Sequence, residues 1–118
     1  MPERENRNLN IIDIVKTIKR KPEMFFGEKP DIYNLYYYLL GYTGSRISTG
    51  ISDKDDEKYQ FEFGSWIYRK HESVLEHDMF WAKAISTMQK IKDKQVELFF
   101  SLFEEFFNLK NADEDNTY

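Results

Sequence analysis

Between residues 10 and 109, apolar side chains recur three or four positions apart in one segment after another. In an α-helix this spacing brings them to a single face, which is stable when it is buried against other helices. The segments cover roughly residues 10–21, 31–46, 59–70, 77–92 and 94–109. We therefore predict an all-α fold, a compact single-domain bundle of about five helices. A chain of 118 residues fits one domain of this kind.

The first predicted helix has a clear beginning and a clear end. Asn10 is a suitable N-cap, and Asp13 follows three residues later, as in a capping box. Pro22 stops the helix because the residue before a proline avoids the helical conformation. Gly27 permits the turn toward the second helix. Three apolar side chains before this glycine are predicted to insert into the core: Met24, Phe25 and Phe26.

The second predicted helix contains three consecutive tyrosines at positions 36–38. It begins near Pro30 and Asp31, and Gly41 is either its C-cap or a close-packing point beyond which the segment continues to about Arg46. A helix cannot bury three consecutive side chains on one narrow face. We therefore predict that Tyr37 is partly exposed and can serve as an aromatic anchor for a partner protein.

The segment at residues 59–69 fits two patterns. Tyr59, Phe61 and Phe63 alternate with polar residues, which is typical of a strand. Tyr59, Phe63 and Trp66 also share one face of a helix. We favour the helix because a single short strand has no evident partner in this chain. The alternative is an α+β fold with a short strand near 59–63.

The domain is predicted to span residues 10–109, between a flexible N-terminus at 1–9 and a disordered acidic tail at 110–118. The chain has no cysteine, which excludes disulfides and thiolate metal sites. The first ten residues lack the apolar run of a secretory signal, and no stretch is long enough to span a bilayer. We therefore expect a cytoplasmic protein with no membrane contact.

Charge and motif content argue against several functions. The formal net charge is −4, whereas nucleic-acid binding needs clustered basic residues, so direct binding is not expected. A basic patch formed by Lys16, Lys19, Arg20 and Lys21 is the alternative. His71 and His77 are six residues apart, unlike the i, i+4 pair of a helical zinc site, and fit a solvated turn better. We expect no metal, no cofactor and no enzymatic activity.

Five short motifs follow one another along residues 11–109: KPEMFFG (21–27), LLGY (39–42), FEFGSWI (61–67), FWAKAI (80–85) and FFSLFEEFF (99–107). Their order resembles a group of small bacterial immunity proteins from toxin–immunity systems, including contact-dependent growth inhibition. Phe25 and Phe26 stand where that group usually has Tyr and Leu or Ile, and Glu23 replaces a common Gly. The resemblance implies a non-catalytic protein that occludes the active site of a cognate toxin, for example a nuclease.

Two groups of acidic side chains are the predicted partner-binding residues. The first lies in a polar connection at residues 48–59 and comprises Asp53, Asp55, Asp56 and Glu57, with Tyr59 beside them. The second comprises Glu72, Glu76 and Asp78. Acidic surfaces suit the basic cleft of a nuclease toxin and speed association. For each group the alternative is a solvated loop, and the protein as a whole could instead be a helical adaptor or regulatory protein. We expect a monomer or a weak dimer.

Overall fold

The computed structural model describes residues 9–109, and within this range the chain is all-helical, without strands. This confirms the predicted all-α single-domain bundle. Except for Leu9, the predicted flexible N-terminus and the predicted acidic tail lie outside the described residues. The helices are α1 (Ile11–Arg20), α2 (Pro22–Phe26), α3 (Ile32–Ser48), α4 (Lys54–Lys70), α5 (Trp81–Met88) and α6 (Lys92–Phe106).

The beginning of α1 matches the prediction. The side chain of Asn10 accepts a hydrogen bond from the N–H of Asp13, and the side chain of Asp13 accepts one from the N–H of Asn10. This reciprocal capping box satisfies two backbone donors at the helix end. The helix ends before Pro22, also as predicted, but Pro22 opens the short helix α2, which the sequence pattern did not predict. Gly27 ends α2 with a φ of 73°, a conformation that favours glycine.

The prediction that Met24 inserts into the core is wrong. Its side chain is 77% exposed, because α2 is only five residues long and turns this position toward solvent. Phe25 and Phe26 are half-buried and pack against the core, as predicted. The Phe25 ring meets the ring of Tyr38 on α3 at a centroid distance of 4.8 Å. One aromatic contact thus joins α2 to α3.

Helix α3 is longer than predicted. Asp31 is its N-cap, and the carboxylate accepts hydrogen bonds from the N–H groups of Tyr33 and Asn34. The helix continues through Gly41 to Ser48, so the interpretation of Gly41 as a C-cap is wrong. Leu35 and Leu39 lie on its buried face, which contacts α1, α4, α5 and α6. The opposite face of α3 is left at the surface.

Helix α4 settles the ambiguity at residues 59–63. It buries Tyr59, Phe63 and Ile67 on one face at i, i+4 and i+8. Phe61, which a strand would place beside Tyr59 and Phe63, is 68% exposed instead. The strand alternative is therefore wrong. The polar connection is also shorter than predicted, because Asp53 caps α4 and the acidic residues after it belong to the first helical turn.

The last two helices begin at different residues from those predicted. Helix α5 begins at Trp81 rather than near residue 77, and α6 begins at Lys92 rather than Lys94. Residues 71–80 form the turn that precedes α5. Neither helix has a side-chain N-cap, so their ends depend on packing rather than on local sequence signals.

The core contains a cluster of aromatic rings around Phe63. This side chain is fully buried and contacts rings from α4, α5 and α6, at centroid distances from 5.2 to 6.2 Å: Tyr59, Trp66, Trp81, Phe99, Phe103 and Phe106. Offset and edge-to-face pairs of this kind add stability beyond the area that they bury. Within residues 9–109, no helix has the length and apolar character needed to cross a bilayer.

Candidate functional site

Asp56 is fully buried, so the prediction that it contacts a partner is wrong. One carboxylate oxygen accepts a hydrogen bond from the N–H of Ile11, at 2.8 Å. The other accepts from Nε of Arg46 and from the N–H of Asp53, both at 2.9 Å. Asp56 therefore joins the starts of α1 and α4 to the end of α3. A buried carboxylate is stable only with such a set of donors.

Tyr59 is also buried, and the prediction that it lies on a contact surface is wrong. Its hydroxyl accepts a hydrogen bond from Nε1 of Trp81 at 2.8 Å, which links α4 to the start of α5. Burial raises the pKa of the Tyr59 phenol above its usual range, although the Trp81 donor acts in the opposite direction. The side chain is thus a neutral core group.

Three predicted acidic residues remain at the surface where α4 begins. The amide of Asn10 donates to Asp53 at 2.9 Å and to Asp55 at 3.4 Å, and the hydroxyl of Ser52 donates to Glu57 at 2.9 Å. Partial burial alone would raise the pKa of Asp53, but hydrogen bonds from Asp56 and Asn10 outweigh it and hold that pKa below its usual value. Asp53 is therefore charged at neutral pH.

A groove runs along the outer side of α4 and reaches the end of α6. We call it the α4 groove, and its main lining residues are Asp55, Glu57, Lys58, Phe61, Glu62 and Phe107. Phe61 is largely exposed and Phe107 is half-buried, so the groove has aromatic rings between charged side chains. Two of the predicted acidic residues, Asp55 and Glu57, are among those that line it.

The second predicted acidic group lies in the turn after α4. Glu72, Glu76 and Asp78 are exposed, and the first two border a shallow depression. His71 ends α4, and its Nε2 is buried without a hydrogen-bond partner among the described residues. His77 is exposed. Across residues 9–109, no three or more His, Cys, Asp or Glu side chains are placed to hold a metal ion.

The outer face of α3 carries no charged side chain. Within Ile32–Ser48 the one charged residue is Arg46, which is buried against Asp56 on the opposite side of the helix. We call this surface the α3 outer face. At about 100° per residue, it comprises Tyr33, Asn34, Tyr37, Leu40, Gly41, Gly44, Ser45 and Ser48. Charged residues make up 32% of the chain, so a whole helix face without them is a distinct feature.

Ring contacts extend the α3 outer face onto the start of α5. The ring of Phe80, which is partly exposed, lies 6.1 Å from Tyr33 and 4.9 Å from Tyr36, measured between centroids. Tyr36 in turn contacts Tyr37 at 5.2 Å. The hydroxyl of Tyr33 is hydrogen-bonded to Ser86 of α5 at 2.8 Å. These contacts restrict the positions of most of the surface rings.

The predicted exposure of Tyr37 is confirmed, since 61% of its surface is accessible. The sequence pattern did not identify Tyr33, Leu40 or Phe80 as neighbours on the same surface. One signal was present in the sequence, because the 17 residues of α3 contain a single charged residue. Which side of α3 faces outward depends on the packing of the other helices, and the sequence pattern alone does not give it.

The alternative basic patch on α1 is partly neutralised. Lys19 forms an ion pair with Glu104 of α6, so its charge is directed toward the body of the protein. Lys16, Arg20 and Lys21 remain exposed. A patch reduced to these three is weaker as a phosphate-binding surface than the sequence alone suggested, because affinity for nucleic acid depends on the number of phosphates neutralised.

Comparison of the chain with protein-family models, with curated proteins and with solved structures gives no match.

Proposed function

We propose that this protein is a non-catalytic immunity protein that binds a cognate bacterial toxin and blocks its active site. The α3 outer face is the observation that supports this best. It presents exposed tyrosines, an exposed leucine and two glycines along one helix, without charge. The centre of a protein–protein interface is typically depleted in charged residues and enriched in tyrosine. The resemblance in the order of the five sequence motifs leads to the same proposal.

The shape of the α3 outer face suits close approach by another chain. At Gly41 and Gly44, none of the described atoms outside the adjacent residues and the local helix backbone lies within 4 Å of the position that a Cβ would take. Glycine within a helix costs up to about 1 kcal/mol relative to alanine. No contact inside the described part of the chain accounts for either glycine. A partner that packs directly against the helix backbone would account for both.

Inhibition would follow from occlusion of the toxin rather than from chemistry. Tyr37 would be the central anchor, since its ring packs edge-on against Tyr36, which leaves less side-chain freedom to be lost on binding. The exposed carboxylates at the start of α4 would attract a basic toxin surface and raise the association rate. Such a mechanism needs no metal, no cofactor and no turnover.

The reading frames next to this gene provide the first test. We expect one of them to encode a toxin domain whose expression arrests a bacterial host, and we expect co-expression of this protein to restore growth. Growth that stays arrested, despite folded protein in the host, would contradict the proposal. If the neighbouring frames encode no toxin, the alternative of a helical adaptor with an unrelated partner gains support.

A further inference from the structure

The α4 groove combines an aromatic floor with a negatively charged rim. Phe61 supplies an exposed ring and Phe107 a half-buried one, and Asp55, Glu57 and Glu62 supply the carboxylates. We propose that this groove binds a segment of the partner protein in which an arginine or lysine stands beside an apolar side chain. The proposal rests on the proposed function and adds a second contact, separate from the α3 outer face, with a stated chemistry.

Charge complementarity selects a cationic segment. Three carboxylates line the groove against two lysines, Lys54 and Lys58. Lys58 is occupied within the groove, because its Nζ lies over the rings of Phe106 and Phe107, at 4.9 and 5.6 Å from their centroids. Asp53, immediately before Lys54, adds a fourth carboxylate at the same helix end. An acidic segment would meet net repulsion here, whereas a basic one would not.

The position of Lys58 is an internal example of the proposed contact. An ammonium group placed over a phenyl ring is attracted by the negative face of the ring, and the aliphatic part of the same side chain covers apolar surface. Among residues 9–109, no cationic side chain lies over the ring of Phe61, which is 68% accessible. A partner arginine could stack on Phe61 while its guanidinium reaches Glu57 or Glu62. The neighbouring apolar residue of the partner would then contact Phe107.

The experiment uses a short peptide as the probe and therefore needs no toxin. The ¹⁵N-labelled protein is titrated with acetyl-Arg-Leu-Arg-Leu-amide and, separately, with acetyl-Glu-Leu-Glu-Leu-amide. We expect the basic peptide to shift the amide signals of residues that line the α4 groove, saturably, and to bind more weakly as salt is added. The acidic peptide should leave these signals in place. An absence of shifts with the basic peptide, or shifts centred elsewhere, would overturn the proposal.

Variants of the α4 groove, compared with a control variant elsewhere, show where the peptide binds. Phe61→Ala and the double change Glu57→Lys with Glu62→Lys should each weaken peptide binding by about tenfold or more. Glu23→Lys with Glu28→Lys is the matched control, since it reverses two exposed charges that lie on α2 and directly after it, outside the groove. Equal losses in both double variants would mean only nonspecific attraction and would overturn the site. Tyr37 lies outside the groove. This protein could therefore still protect a toxin-expressing host through Tyr37, even if the basic peptide does not bind the groove.

Discussion

Asp56 illustrates how one residue can hold three elements together and yet be indistinguishable from its neighbours in the sequence. It lies in the run DKDDE, where four of five residues are acidic. Its carboxylate is the one that enters the core, because the N–H of Ile11 and Nε of Arg46 converge on it from 45 and 10 residues away. The local sequence pattern cannot show which of these carboxylates is buried, because that depends on the positions of α1 and α3 in the folded protein.

Loss of the Asp56 carboxylate should strongly destabilise the folded protein. We expect Asp56→Ala to lower the free energy of unfolding by about 3–5 kcal/mol, because Arg46 is then left buried without its anionic partner. Urea unfolding followed by circular dichroism measures the change. Asp55→Ala is the control, and it should cost less than about 1 kcal/mol because Asp55 is only half-buried. Equal losses in the two variants would refute the role given to Asp56.

The lowered pKa of Asp53 predicts how the stability of the protein should change with acid. The pKa of Asp53 is lower in the folded protein than its ordinary value, so the stability that its charge provides is present above about pH 4. That stability is lost as the pH falls through the folded-state pKa. Asp53→Asn keeps an N-cap acceptor but removes the charge, so its melting temperature should fall less steeply than that of the wild type below about pH 4. Identical slopes would show that Asp53 contributes nothing to the acid response.

At the scale of the helices, the beginnings of α1 and α3 were predicted correctly, whereas those of α4, α5 and α6 were not. Asn10 and Asp31 mark the starts of α1 and α3, because a side-chain cap satisfies backbone donors that would otherwise lack partners. Helix α5 has no such cap and its start was misplaced. Gly41 was a poor guide to the end of α3, since the packing of Leu39 and Thr43 on either side carries the helix through it.

Two glycines should respond in opposite ways to the same substitution. Gly64 lies inside α4, where none of the described atoms is within 4 Å of the position that an alanine Cβ would take, so Gly64→Ala should stabilise the protein by about 0.4–1 kcal/mol. Gly27 has a φ of 73°, which alanine rarely adopts, so Gly27→Ala should destabilise it by a comparable amount or more. Urea unfolding of both variants measures the difference, and a stabilising Gly27→Ala would contradict the left-handed turn at the end of α2.

The molecule as a whole buries one cluster of aromatic residues around Phe63 and presents two unlike surfaces to solvent. One is the uncharged α3 outer face, and the other is the charged α4 groove. The sequence pattern predicted the fold and the exposure of Tyr37, but it placed Asp56 and Tyr59 on the surface. Sequence periodicity shows which residues share a helix face. It does not show which faces other helices cover, so it predicts surfaces poorly.

The central claim is that the α3 outer face binds the toxin, and one pair of variants tests it most directly. Tyr37 and Val74 are equally exposed, at 61% each, and Val74 lies in the turn between Glu72 and Glu76. Surface plasmon resonance would compare wild type, Tyr37→Glu and Val74→Glu against the toxin domain encoded beside this gene, after circular dichroism confirms that all three are folded. We expect Tyr37→Glu to raise Kd by at least about thirtyfold and Val74→Glu to leave it nearly unchanged. Wild-type affinity in Tyr37→Glu would contradict the account.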